Sequence, residues 1–184
     1  MKKEVFNMKL QEALQQRRSI RKYLKKPVEH KDIEKIIEAA ILAPSWKNSQ
    51  VTRYYVIESQ DMLEKVKATL PDFNYNNVKD APVLIVTTIV VNRSGYNRDG
   101  TSSNELGNGW GYYDCGLHNM NLLLKATELG LSTLVMGIRD ANAISELLQI
   151  PENQSVVSVI ALGYGDIEPT MPQRKTVAEI TKFL

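Results

Sequence analysis

The chain has 184 residues, 43% of them hydrophobic and 24% charged, with a formal net charge of +2, the composition of an ordinary globular protein. That charge is too small to argue for nucleic acid, and a single cysteine excludes an internal disulfide. The longest apolar run, 83–91, is less than half of a membrane span. The opening MKKEVFNMKL lacks the apolar stretch of a secretory signal, so a soluble cytoplasmic protein of one domain, 1–184, is expected.

Residues 8–18 read as a short helix with Leu10, Ala13 and Leu14 on one face. Pro27 breaks the chain, and 28–42 is the clearest amphipathic helix, with Ile33, Ile36, Ile37, Ala40 and Ile41 opposed to Lys31, Asp32, Lys35 and Glu38. Ala43-Pro44 ends it, because a residue before proline is pushed out of the helical region. A polar loop, 45–50, leads to a β-branched and aromatic strand at 52–58. A second amphipathic helix, 60–70, carries Leu63, Val66, Lys67 and Leu70 along one side and stops at Pro71.

The run 83–91 is near-continuously apolar and β-branched, the mark of a strand buried on both faces, so helices should cover the sheet. The Gly- and Asn-rich stretch 92–109 is long for a connection and predicts a binding loop or lid. The longest helix, 110–129, is closed by Gly130, and its Leu117, Met120, Leu123, Leu124 and Leu129 predict packing on more than one side. Strands follow at 131–138 and 156–163, separated by a helix at 141–148 with Asp140 as the capping candidate. The end, 175–184, is a short helix or strand. This order indicates an α/β or α+β sandwich around one central sheet.

The basic residues are unevenly placed: Lys2, Lys3, Lys9, Arg17, Arg18, Arg21, Lys22, Lys25, Lys26, Lys31 and Lys35 put 11 of 23 in the first 35 positions. Arg17-Arg18-Ser19-Ile20-Arg21 is the densest part. Guanidinium forks suit a two-point grip on phosphate or carboxylate, and three so close repel unless an anion or several carboxylates lie between them. Alone, the cluster reads either as a solvated basic face or as an anion site. His30 and His118 are the only histidines, and with Cys115 they do not complete a metal site. Cys115 and His118 could meet across one helical turn as nucleophile and base, but a core thiol fits the apolar surroundings. No Walker A sequence, nucleophile elbow or dinucleotide fingerprint is present. No self-sufficient set of acid, base and nucleophile emerges, so a cofactor is expected to carry any chemistry.

Arg17-Arg-Ser-Ile-Arg-Lys-Tyr, Ala39-Ala-Ile-Leu-Ala-Pro-Ser-Trp-Lys-Asn-Ser-Gln50, Asp80-Ala-Pro-Val, Ala126-Thr-Glu-Leu-Gly-Leu, Met136-Gly137 and Pro172-Gln-Arg-Lys175 follow one another along nearly the whole chain. In this order they resemble the FMN-dependent nitroreductase family. The resemblance implies an α+β fold, a three-layer α/β/α sandwich on a mostly antiparallel sheet, and an intertwined homodimer with FMN between the subunits. It implies reduction by NADH or NADPH and then transfer to a small-molecule acceptor, a nitroaromatic or quinone, by a ping-pong mechanism, with no strictly catalytic protein residue and no metal.

By the same resemblance, Arg17, Ser19, Arg174 and Lys175 hold the FMN phosphate and ribityl chain, and Arg18 lies by the ribityl chain and the pyrimidine edge. Arg21 sits at N1/O2, where its charge would stabilise the reduced ring. Pro44, Ser45, Trp46 and Asn48 reach the other subunit's flavin. Asn74 contacts N3/O4, an edge an amide suits in both directions, and Met136 and Gly137 approach N5. Trp46 stands where a small polar residue is expected, so it narrows or covers the site. Trp110, Tyr112 and Tyr113 either line the substrate side or serve as core and dimer contacts. Two rival readings are another flavin reaction (reductive dehalogenation or oxidation of a specific metabolite) and a non-enzymatic protein using its basic face. The resemblance implies no nucleic-acid or membrane partner.

Overall fold

The computed structural model describes residues 8–184; Lys2 and Lys3 lie outside the described residues. Four strands, β1 (Thr52–Ile57), β2 (Val83–Val90), β3 (Ser132–Met136) and β4 (Gln154–Gly163), form a fully antiparallel sheet in the order β1-β2-β4-β3. Register is set by pairs such as Tyr54–Thr87, Ile85–Ile160 and Leu134–Ala161. Around the sheet lie α1 (Leu10–Gln16), α2 (His30–Ile41), α3 (Gln60–Lys67), α4 (Asp72–Val78), α5 (Gly109–Glu128), α6 (Ala141–Leu147) and the single turn α7 (Val177–Ile180).

β2 has no solvent face: every residue but its last is buried, as its apolar run predicts. Leu84 and Val86 point into a core with Leu63 and Val66 of α3, Val78 of α4 and Ile144 of α6. Val83 and Ile85 point the other way, onto Ile33 and Ile36 of α2 and Leu122 and Ala126 of α5. Two helical layers therefore enclose the sheet, the α/β/α sandwich expected. Each fully buried aliphatic side chain contributes about 1.5–3 kcal/mol, so both layers depend on this strand.

The helix α4 was not expected beyond Pro71. Its Asn74, Asn76 and Asn77 are weak helix formers, but Val78 is fully buried and Asn74 nearly so, and packing outweighs propensity. Of the apolar positions foreseen for α5, Leu123 and Leu129 pack against the core while others do not. Cys115, His118, Asn119, Leu122 and Ala126 face inward, while Met120 is exposed and Leu124 lines a surface groove with Leu10 and Leu42. Gly130 and Asp140 behave as foreseen: Gly130 has φ +72° after α5, and Asp140 accepts from the Ala143 N–H at 3.0 Å. No helix among the described residues is long and apolar enough to cross a membrane.

His118 is 3% exposed, and neither ring nitrogen has a hydrogen-bond partner in the chain. Burial pushes its pKa below the usual 6.5, against a smaller upward pull from Asp114. The unfolded chain therefore binds this proton more readily, and native stability is lost as pH falls below about 6.5. Urea unfolding at pH 7.5 and pH 5.5 is expected to show a lower midpoint at the acid value. That difference should shrink in His118→Gln, which removes the titrating group.

Candidate active site

The segment after α1 carries the basic cluster to the sheet's edge. Ser19 pairs in parallel with Thr133 of β3, and the Ile20 N–H donates to the Thr133 carbonyl at 3.0 Å. Ile20 and Tyr23 are buried, so the chain is pinned between the arginines. The extended stretch after β4 returns to the same place. Arg17, Arg18, Ser19 and Arg21 line one cavity of 240 Å³ together with Pro169, Thr170, Pro172 and Arg174.

No carboxylate lines that cavity. Burial, then the charges of Arg174 and Arg18, push the Arg17 guanidinium below its ordinary pKa. Arg18 is turned partly onto backbone, donating to the Gln15 carbonyl at 2.5 Å and the Arg17 carbonyl at 2.8 Å, and its Nε is buried without a partner. Arg21 is exposed, with a long 3.4 Å contact to the Ser19 carbonyl. Four guanidinium groups and a hydroxyl around a small acid-free cavity form a donor set suited to a phosphate monoester. Lys175 follows Arg174 but does not line the cavity. A larger cavity of 750 Å³ lies elsewhere, between Lys25–Lys26, α3 and the start of β2. Three of its four lysines are offset locally: Lys25 by Asp80 at 3.4 Å, Lys67 by Glu64 at 3.2 Å, and Lys26 over the Tyr164 ring at 3.7 Å.

Two other predicted groups do not line the arginine cavity. Met136 ends β3 in the core, Gly137 is exposed, and nothing lies within 4 Å of where a Gly137 side chain would begin. Arg139 holds this corner by donating to the Gly137 carbonyl at 3.1 Å and to the Val156 carbonyl. Asn74 is bound there too, its Nδ2 donating to the Ile138 carbonyl at 2.9 Å.

Pro44, Ser45, Trp46 and Asn48 form a tight turn at the α5 N-terminus. Lys47, Asn48 and Gln50 all adopt left-handed φ, +46°, +55° and +49°. Non-glycine residues there cost roughly 1–3 kcal/mol each. The turn is held by the Trp46 N–H, which donates to both oxygens of Asp114 at 3.0 and 3.2 Å, and by the Gln50 N–H, which donates to Ser45 Oγ at 2.9 Å. Among the described residues, no hydrogen bond, ion pair or ring contact joins this turn to the arginine cavity.

The 92–108 connection is bound largely to itself. Tyr96 bridges to Ser102, Asn97 N–H donates to the Thr101 carbonyl at 2.8 Å, and Asp99 accepts from the Thr101 N–H and hydroxyl at 2.9 and 2.6 Å. It wraps Trp110, whose indole N–H donates to Asn104 Oδ1 at 2.9 Å. A side chain at Gly95 would begin 2.8 Å from Trp110 Cδ1, so glycine is required there. Asp114 is marked by no motif, because its partners Trp46 and Ser94 come from distant segments.

The model of the Nitroreductase family matches residues 14–164. A relative from Methanothermobacter thermautotrophicus, with the provisional name NADH dehydrogenase/NAD(P)H nitroreductase, is 35% identical over 90% of this chain and 82% of its own length. The NADPH-flavin oxidoreductase of Vibrio harveyi is 27% identical over 91% of this chain and 72% of its own. A solved Staphylococcus epidermidis structure, provisionally titled an NAD(P)H:FMN oxidoreductase, superposes with a TM-score of 0.85 and covers 96% of each chain; at 21% identity it shows the likeness of fold alone.

The repulsion among the arginines makes a prediction that needs no cofactor. Inorganic phosphate at ten times its dissociation constant is expected to stabilise the protein by about 1.4 kcal/mol, read as a raised melting temperature in low salt. Arg174→Gln should weaken that response and leave the phosphate-free protein no less stable than the parent.

Proposed function

The chain belongs to the nitroreductase family, and on that footing we propose that it is an FMN-dependent oxidoreductase of NADH or NADPH. Its acceptor is a nitroaromatic, a quinone or a related small electrophile, and the two half-reactions alternate at one site. Bound FMN supplies the redox chemistry, taking hydride from NAD(P)H and passing reducing equivalents to the acceptor. The observation that carries the reading is the acid-free cavity shared by Arg17, Arg18, Ser19, Arg21 and Arg174.

In this reading Arg17, Ser19 and Arg174, with Lys175 beyond, neutralise the phosphate. Arg18 lies by the ribityl chain and the ring's pyrimidine edge. The exposed Arg21 guanidinium supplies the positive charge at N1/O2 that favours the reduced cofactor. Gly137 leaves room for backbone to approach N5 beside Met136. Asn74 commits its Nδ2 to Ile138 and offers its oxygen to the ring's N3–H. Pro44, Ser45, Trp46 and Asn48 belong to the flavin of a second copy, consistent with none of them lining the arginine cavity of their own chain. The apolar groove of Leu10, Ala13, Leu42 and Leu124 supports that homodimer. The chain works as a single cytoplasmic domain, with 92–110 as its substrate-side loop.

The purified protein is expected to be a yellow dimer with one FMN per chain, bleached by NADH or NADPH and restored by naphthoquinone. Arg17→Ala should weaken FMN binding about tenfold or more, the scale of one charge-assisted hydrogen bond. A colourless protein that takes up no added FMN would refute the reading. Arg21→Ala is expected to lower the flavin potential while FMN stays bound; potentiometric titration of the two proteins checks it.

A further inference from the structure

Asp114 is 2% exposed, and nothing in the fold of α5 calls for a carboxylate at that point. Its oxygens are used on segments remote in sequence. The Trp46 N–H donates to both, the Ser94 hydroxyl donates to Oδ2, and the Ser49 hydroxyl donates to Ser94 Oγ at 3.3 Å. One buried acid thus ties the strained 45–50 turn to the 92–108 loop.

What these bonds fix in place is a pair of rings. The Trp46 and Trp110 centroids are 4.7 Å apart with planes inclined at 46°, and Tyr113 stands edge-on to Trp110 at 5.8 Å. Trp110 is held from behind by Asn104 and by the close backbone at Gly95. Trp46 keeps its indole Nε1 buried without an acceptor in the chain. A serine or alanine would fit such a turn with less bulk. A large ring clamped here, on a strained backbone, points to a surface that matters for what lies against it.

We propose that Asp114 is a positioning residue that holds Trp46 against Trp110, and that the two indoles form a fixed wall which selects electron acceptors by ring shape. Flat-ringed oxidants gain a stacking contact on this wall, and compact non-aromatic oxidants gain none. The inference rests on the flavin reading above, in which the Trp46 turn lies beside the cofactor. It goes further by assigning acceptor discrimination to Trp46 and Trp110 and their geometry to Asp114.

These are the chain's only two tryptophans, so intrinsic fluorescence reports on the wall directly. FMN-loaded protein, reduced anaerobically with dithionite, is mixed with naphthoquinone or with ferricyanide, and the ratio of the two reoxidation rate constants is compared among variants. Asp114→Asn and Trp110→Leu are each expected to lower the ratio about fivefold, the size of one lost aromatic contact. In the FMN-free protein, Asp114→Asn should also raise acrylamide quenching of the tryptophans. An unchanged ratio in both variants overturns the wall, and unchanged quenching in Asp114→Asn overturns its positioning role. Trp110→Leu leaves the Asp114 bonds in place and decides the wall if Asp114→Asn does not fold. Failure to take up FMN would sink the flavin reading and the wall with it. Reduction by dithionite but not by NAD(P)H would sink only the nicotinamide part, and the ratio would still judge the wall.

Discussion

The pairing of β2 with β4 is the constraint that the rest of the structure answers to. Thr87 and Ser158 place their hydroxyls 2.9 Å apart inside the sheet, so even the polar residues of this pair are satisfied internally. With no face left for water, helices must cover both sides, and the chain has to cross the sheet's ends to supply them. Those crossings carry the residues proposed for the site. The arginine segment passes the edge at β3, the Gly137 corner follows β3, and the Trp46 turn joins α2 to β1. The core thus sets where the functional loops can stand, and their side chains decide what each one does.

Electrostatics then divides the labour. Around the small cavity, like charges are packed without acids, an arrangement that is unfavourable until an anion arrives. At the Trp46 turn the opposite device is used: a buried carboxylate is spent on a backbone N–H and a hydroxyl, and strain is held by hydrogen bonds from neighbouring segments. One place gathers like charges around a cavity. The other stores backbone strain to keep an aromatic surface still.

Much of this was legible in the residues. Arg17, Arg18 and Arg21 were conspicuous because three forks within five positions demand a reason, and Arg174 entered through the order of motifs. The β-branched run of β2 announced a strand without a wet face. The rest was hidden for identifiable causes. Asn74, Asn76 and Asn77 disguise α4, because burial at Asn74 and Val78 outweighs their poor propensity. The leucines of α5 suggested a core, and Leu123 and Leu129 do pack on it, but Met120 is exposed and the inward stripe runs through Cys115, His118, Asn119, Leu122 and Ala126. Asp114 had no local signal at all, since its partners lie 68 and 20 residues away. Long-range hydrogen bonds of this sort leave no periodicity to read.

The short contact of Ser19 and Ile20 with Thr133 has a consequence for the protein's life in the cell. β3 is the last strand of the sheet, and an open edge of that kind invites pairing with other chains. Its cover is the same stretch that carries Arg17, Arg18 and Arg21. Like charges at Arg17, Arg18 and Arg174 therefore repel one another beside the strip that shields the sheet. On the proposed reading, an anion held between those arginines also steadies the strip that shields this edge from other chains.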